Sequence, residues 1–187
     1  MKRFPLLLIA LFLFGMFACK MDNSNTWTNY ETWRNDNVKW LEAQKQKKNA
    51  DGTDYYTKLT ASWDEQAYVY IKYLNDTMLT KDNMKPLYTS TIDVKYIGHR
   101  YDNVAFDSSY LSISPADSIF RTPLNKVIGG WAIALQSMHI GDSCEIVIPY
   151  QQAYGNQIKG NGIIKPYSVL KFGIKLVGIP GYEIPVN

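Results

Sequence analysis

Two cysteines and two histidines in 187 residues leave little material for thiol or metal chemistry. With Cys19 set aside as a lipidation site, Cys144 stands alone, and no intramolecular disulfide is expected. His99 and His139 are each isolated, which predicts no metal site and no metal cofactor. No hydrolytic triad can be assembled, and Gly98, Gly129-Gly130 and Gly160-Gly162 fit no nucleotide-binding pattern. Repeats and low-complexity tracts are missing, and no apolar run reaches the ~20 residues that a membrane-spanning helix needs. An excess of one charge is missing too. Lys+Arg number 20 and Asp+Glu 17, giving +3, and loss of Lys2 and Arg3 leaves 18 against 17, or +1. That balance makes no case for nucleic acid.

What remains is the composition of a folded domain with an extension: 46% hydrophobic and 20% charged residues. Aromatics reach 14%, with 14 Tyr and 5 Trp, which favours β-structure or an aromatic-lined recognition surface. The N-terminus is a leader. Met1-Lys2-Arg3 is basic, Phe4–Phe17 is apolar, and a polar stretch follows at once. Ala18-Cys19 resembles the end of a bacterial lipoprotein signal, in which the cysteine is lipidated; ordinary secretory cleavage is the alternative. The expected organisation is a signal peptide over 1–18, a lipidated tether over 19–26, a helical extension over 27–50 and a domain over 51–187. The chain would then sit in a bacterial cell envelope, anchored through lipid on Cys19.

In the extension, Tyr30, Trp33, Trp40 and Leu41 recur at helical spacing, and Thr28-x-x-Glu31 reads as a capping box. Lys45, Lys47 and Lys48 suit the end of a helix dipole, so one helix is predicted over about Asn29–Lys48 with its tryptophans on the domain. After Gly52 the period becomes two. "AYVYIKYL" sets Ala67, Val69, Ile71 and Tyr73 against Tyr68, Tyr70 and Lys72. "YTSTIDVKYI" places Tyr88, Ile92, Val94 and Tyr96 together, and "SCEIVIPY" and "SVLKFGIKLVG" alternate in the same way. These predict an antiparallel sheet with one dry and one wet face. Trp131–Met138, ended by Gly141, is the one helical stretch between strands. The fold class is α+β: an antiparallel sheet wrapped around a short helix, with an N-terminal helical extension.

Six short motifs follow one another along this domain: "VKYIG" (94–98), "FDSS" (106–109), "VIGGW" (127–131), "AYG" (153–155), "GIIKP" (162–166) and "LKF" (170–172). Their order and spacing are similar to those of the FKBP-type peptidyl-prolyl isomerases, apart from about one extra residue between the fourth and fifth. Each is weak alone, and six in register are specific. The resemblance implies an aromatic pocket for an Xaa-Pro segment. Trp131 would be its floor, reached by a tight turn at Gly129-Gly130, with Tyr96 and Phe106 as walls and Phe172 deep behind them. Val127 and Ile128 would flank the floor, with backbone groups that hold an extended peptide. Ile163 and Ile164 would lie under a closing loop, and Asp107 and Tyr154 would be the polar catalytic groups. No cofactor is implied. The partners would be proline-containing unfolded or nascent polypeptides, and the task would be to assist folding of envelope or secreted proteins.

Two departures bear on activity. A pocket position that is usually aromatic falls on Ser118, although Phe120 is kept, and the loop Asn156–Gly162 has no aromatic or histidine. A weakly active or inactive chaperone or peptide-binding lipoprotein of the same fold is therefore a second reading. A glycan-binding lipoprotein is a third, disfavoured because the aromatics follow pocket positions in order.

Overall fold

The alternation in "TIDVKYIG" becomes the hub of the sheet. A computed structural model describes residues 23–111 and 118–181, so the leader and Cys19 lie outside the described residues. The strands are β1 (Thr57–Ala61), β2 (Asp64–Tyr73), β3 (Thr91–Arg100) and β4 (Ala105–Ser108). They continue with β5 (Phe120–Pro123), β6 (Ser143–Ile148) and β7 (Leu170–Gly178). Every pairing is antiparallel, in the order β1-β2-β6-β7-β3-β4. β5 covers the first half of β3 on the edge that β4 covers in the second half. Ile92, Val94 and Tyr96 point into the core from β3, beside Ile174 and Leu176 of β7. Tyr88, expected on the same face, is outside the strand and 51% exposed. Pro86 and the turn closed by Ser90 N–H on the Leu87 carbonyl (2.9 Å) delay the strand to Thr91.

The helices are α1 (Asn23–Asn29), α2 (Glu31–Lys45) and α3 (Gly129–Leu135). From Gly130 to Leu135, α3 is buried at every position, as a helix enclosed by a sheet should be. Its two glycines serve close approach. Neither has a positive φ. A Cβ on Gly130 would overlap the Ile148 side chain of β6, and one on Gly129 would come within 2.9 Å of Gln152 Oε1. The expected turn is present, closed by Trp131 N–H on the Ile128 carbonyl (3.0 Å), and the missing side chains serve close packing rather than a positive φ.

The face expected to be wet is partly covered. Leu41 of α2 packs with Tyr56, Tyr70, Val147 and Val169 on the side of the sheet opposite α3. A polar seam runs beside it: fully buried Asn37 accepts from Val169 N–H (2.7 Å), and Trp33 Nε1 donates to Ser168 Oγ (3.1 Å). The capping box does not form. Thr28 lies inside α1, and Tyr30 holds the cap position of α2 with no side-chain cap bond. The helix begins at Asn23, inside the expected tether. Arg34 secures this end, stacking 3.5 Å from the Trp27 ring and donating to the Trp27 carbonyl (2.6 Å). Among the described residues no helix is long and apolar enough to cross a membrane.

The segment Asn75–Pro86 between β2 and β3, a longer insertion than the family resemblance implies, is strapped to the turn between α3 and β6. Buried Asp142 accepts from His139 N–H (2.7 Å), Asn75 Nδ2 (3.1 Å) and Thr80 Oγ1 (2.5 Å). Asn83 Nδ2 adds a bond to the Ile140 carbonyl at 2.8 Å.

Candidate active site

The site is built where β3, β4 and β7 meet the start of α3. Gly98 of β3 stands opposite Asp107 on one neighbour and Phe172 on the other. A Cβ there would come 2.6 Å from Phe172 Cε1 and 2.7 Å from Phe106 Cζ. The bare backbone admits two rings, which meet edge to face at 5.5 Å. Trp131 then stands against Tyr96 at 4.9 Å and Phe172 at 5.3 Å, again edge to face. Four rings brace one another around a cavity of about 320 Å³.

Eight of the ten residues expected at the pocket line this cavity: Tyr96, Phe106, Asp107, Val127, Ile128, Trp131, Tyr154 and Phe172. Ile163 and Ile164 do not. Lys159 and Ile164 pair as an isolated bridge across a tight turn with positive φ at Gly160, Asn161 and Gly162. That turn sends Ile164 into the core, leaves Ile163 exposed, and lets Arg100 Nη1 take the Ile163 carbonyl at 2.9 Å. Ser118 lies in the turn before β5 with φ 62° and does not line the cavity. Two lining residues were not expected. Phe120 stands 5.7 Å from Tyr96 and 6.5 Å from Trp131, and Lys126 is at the mouth beside Val127. The signal for Phe120 was its place two residues after Ser118; Lys126 had none beyond adjacency to Val127.

The polar groups are few and placed. Tyr96 Oη donates to Asp107 Oδ2 at 2.7 Å, and Ser108 N–H donates to Asp107 Oδ1 at 2.8 Å. The carboxylate is thereby held at the rim by two donors. Burial, and next the bond to Asp107, raise the Tyr96 hydroxyl well above its usual pKa. Burial, and then the Asp107 charge, also raise that of Tyr154. Both phenols stay protonated donors over the physiological range. Trp131 is 4% exposed, and its Nε1–H is the one buried side-chain polar atom among the described residues with no hydrogen-bond partner. Val127 and Ile128 approach α3 in extended backbone (ψ 173° and 150°), a shape that can run alongside another extended chain. Among the described residues no cluster of His, Cys, Asp and Glu could hold a metal ion.

A sheet wrapped on a short helix, with this ring of aromatics at the helix start, defines an FKBP-like domain. Residues 83–177 match the family model of the FKBP-type peptidyl-prolyl cis-trans isomerases, and the chain belongs to that family. It is 42% identical over 94 residues to the macrophage infectivity potentiator of Trypanosoma cruzi, a match over 50% of this chain and 45% of that protein. It is 38% identical over 94 residues to the FKBP-type 22 kDa peptidyl-prolyl cis-trans isomerase of Escherichia coli, covering 50% and 43%. The chain thus spans less than half the length of these two curated relatives. A crystal structure of a peptidyl-prolyl cis-trans isomerase from Pseudomonas syringae superposes with a TM-score of 0.61 at 27% identity, over 80% of this chain and 95% of that one. FkpA from Escherichia coli shares the fold, with a TM-score of 0.63 at 24% identity, over 84% and 65%.

Proposed function

We propose that the protein is a peptidyl-prolyl cis-trans isomerase that assists folding of envelope or secreted proteins. The observation that carries this reading is the aromatic cavity in which Tyr96, Phe106, Phe120 and Phe172 stand around Trp131. Rotation about an Xaa-Pro bond is slow because the amide must give up its resonance, at a barrier of about 18–20 kcal/mol. The twisted amide has a less dipolar carbonyl than the planar one, so moving it from water into an aromatic pocket favours the transition state over the ground state. The proline ring fills the apolar space over Trp131. Tyr154 donates to a substrate carbonyl, and Asp107 fixes the wall through Tyr96. Each factor of ten requires about 1.4 kcal/mol, a scale that desolvation and one or two positioned bonds can reach without a nucleophile. A protease-coupled assay on short Xaa-Pro peptides tests this: catalysed exchange is expected, and exchange at the uncatalysed rate contradicts it.

The domain is read as 51–187, with 27–50 as a stabilising appendage. Cys19 is proposed as the lipidated first residue of the mature chain, which would tether the domain to a membrane of the envelope. Mass spectrometry of the N-terminal peptide from a bacterial host should find a lipidated Cys19, and Cys19→Ala should move the protein to the soluble fraction. An unmodified N-terminus at residues 20–28 would contradict the anchor. One observation favours a second reading, a chaperone of low catalytic activity. No residue of the loop 156–162 is among those that line the cavity. Binding of unfolded clients with no isomerisation of short peptides would decide for it.

A further inference from the structure

Beside the aromatic cavity runs a second, larger groove of about 500 Å³. One wall is Trp63, which the β1–β2 hairpin carries at its tip: Ala61 pairs with Asp64, leaving only Ser62 and Trp63 in the turn. Beside it on the same wall stands Tyr88, in the segment that leads into β3. The floor is formed by Gly129 and Ala132 of α3 and by Gln136 at its C-terminal cap. Trp63 is 56% and Tyr88 51% exposed, so neither large ring has a core to fill. Their centroids stand 6.4 Å apart at an interplanar angle of 47°. Val127 lines both the groove and the aromatic cavity, so the two spaces meet at one side chain. Gly129 belongs to this floor, and any side chain there would press on Gln152, which also lines the groove.

We propose that this groove is a second binding subsite of the proposed isomerase, taking an apolar or aromatic side chain near the proline of the same client polypeptide. The inference rests on the isomerase reading for the position of that proline. The occupant follows from continuity and chemistry. A chain that lies along Val127 to seat its proline over Trp131 carries its neighbouring residues past Trp63 and Tyr88. The groove is lined by no charged side chain, and its polar members, Gln136 and Gln152, are neutral amides that tolerate a passing backbone. With centroids 6.4 Å apart the two rings touch and form one tilted apolar wall for a side chain to pack against, whereas a sugar ring stacks on a flat platform.

The test uses the full chain and two peptides that share one Xaa-Pro core, the longer carrying a Phe near the proline and its control carrying Ser there. Wild-type protein should act on the Phe peptide with KM about ten-fold lower than on the Ser peptide, the scale of burying one large apolar side chain. Trp63→Ala and Tyr88→Ala should each erase most of that preference, with kcat/KM on a short tetrapeptide and the melting temperature unchanged. Equal KM for both peptides with normal tetrapeptide turnover overturns the groove and leaves the isomerase reading standing. A KM preference that survives both substitutions overturns it as well. No tetrapeptide turnover by the wild-type protein contradicts the isomerase reading itself. In that case binding of the Phe peptide that Trp63→Ala weakens would still support the groove. A Trp63-dependent fluorescence change with an oligosaccharide, and none with either peptide, overturns the peptide occupant in favour of a glycan.

Discussion

Asp107 touches the cavity from its rim and Tyr154 from its side, and both can be changed without opening the core. Tyr96 Oη reaches Asp107 at 2.7 Å, so Asp107→Ala frees a wall residue and leaves its hydroxyl without that acceptor. Asp107→Ala and Tyr154→Phe should each lower kcat/KM on an Xaa-Pro peptide by about three- to ten-fold, the worth of one positioned hydrogen bond. Their melting temperatures should stay near wild type. A loss of stability that matches the loss of rate would make both residues structural. Phe172 behaves differently, because it is 3% exposed and touches Tyr96, Phe106 and Trp131 together. Phe172→Ala should cost about 3–5 kcal/mol in urea unfolding. Most of these rings could be found in the sequence because each sits in its own short motif at fixed spacing from the next. Phe120 and Lys126 were harder to read, since β5 is only four residues long and offers no period to detect. Ile163 and Ile164 follow a tight turn with three successive positive φ values, which decides where each points and which no local sequence pattern encodes.

α2 meets the sheet through a seam that hydropathy alone undervalues. Its apolar contacts include Leu41 and half-buried Trp40, but Asn37 is fully buried and satisfies the Val169 N–H. Asn37→Leu should therefore destabilise the chain by about 1–3 kcal/mol despite adding apolar surface, because a buried amide loses its acceptor. Affinity for a short proline peptide should not change, since no residue of α2 lines the cavity. Weaker peptide binding at unchanged stability would place the extension in the site. Here the sequence is legible in part. Helical spacing of Trp33, Trp40 and Leu41 reveals the helix, whereas α1 and its Arg34–Trp27 stack depend on contacts no local pattern encodes. The two-residue alternation reveals β2, β3, β6 and β7, yet cannot say that Tyr70 and Val147 on the second face are covered by another element.

Across the whole molecule, Asp142 joins the insertion, the end of α3 and the start of β6. Its burial alone would raise its pKa, but the bonds from Thr80, the His139 N–H and Asn75 outweigh this and hold the carboxyl below the usual range. A carboxyl depressed in the folded state adds stability above its unfolded value of about 3.9, and that stability is lost as pH falls through the folded value. Asp142→Asn should lower the melting temperature at pH 7 and flatten its decline between pH 5 and pH 2. A variant that melts like wild type at pH 7 would show that the strap does not depend on this charge.

The central claim, that catalysis belongs to the cavity floored by Trp131, meets its most direct test in one NMR titration of the full chain with a short Xaa-Pro peptide. The account predicts cis–trans exchange cross-peaks for the peptide together with a shift of the Trp131 Nε1–H resonance, while the indole signals of Trp33 and Trp40 stay fixed. Exchange without any movement of Trp131, or saturable binding that moves only resonances of α2 and the second face, would contradict it.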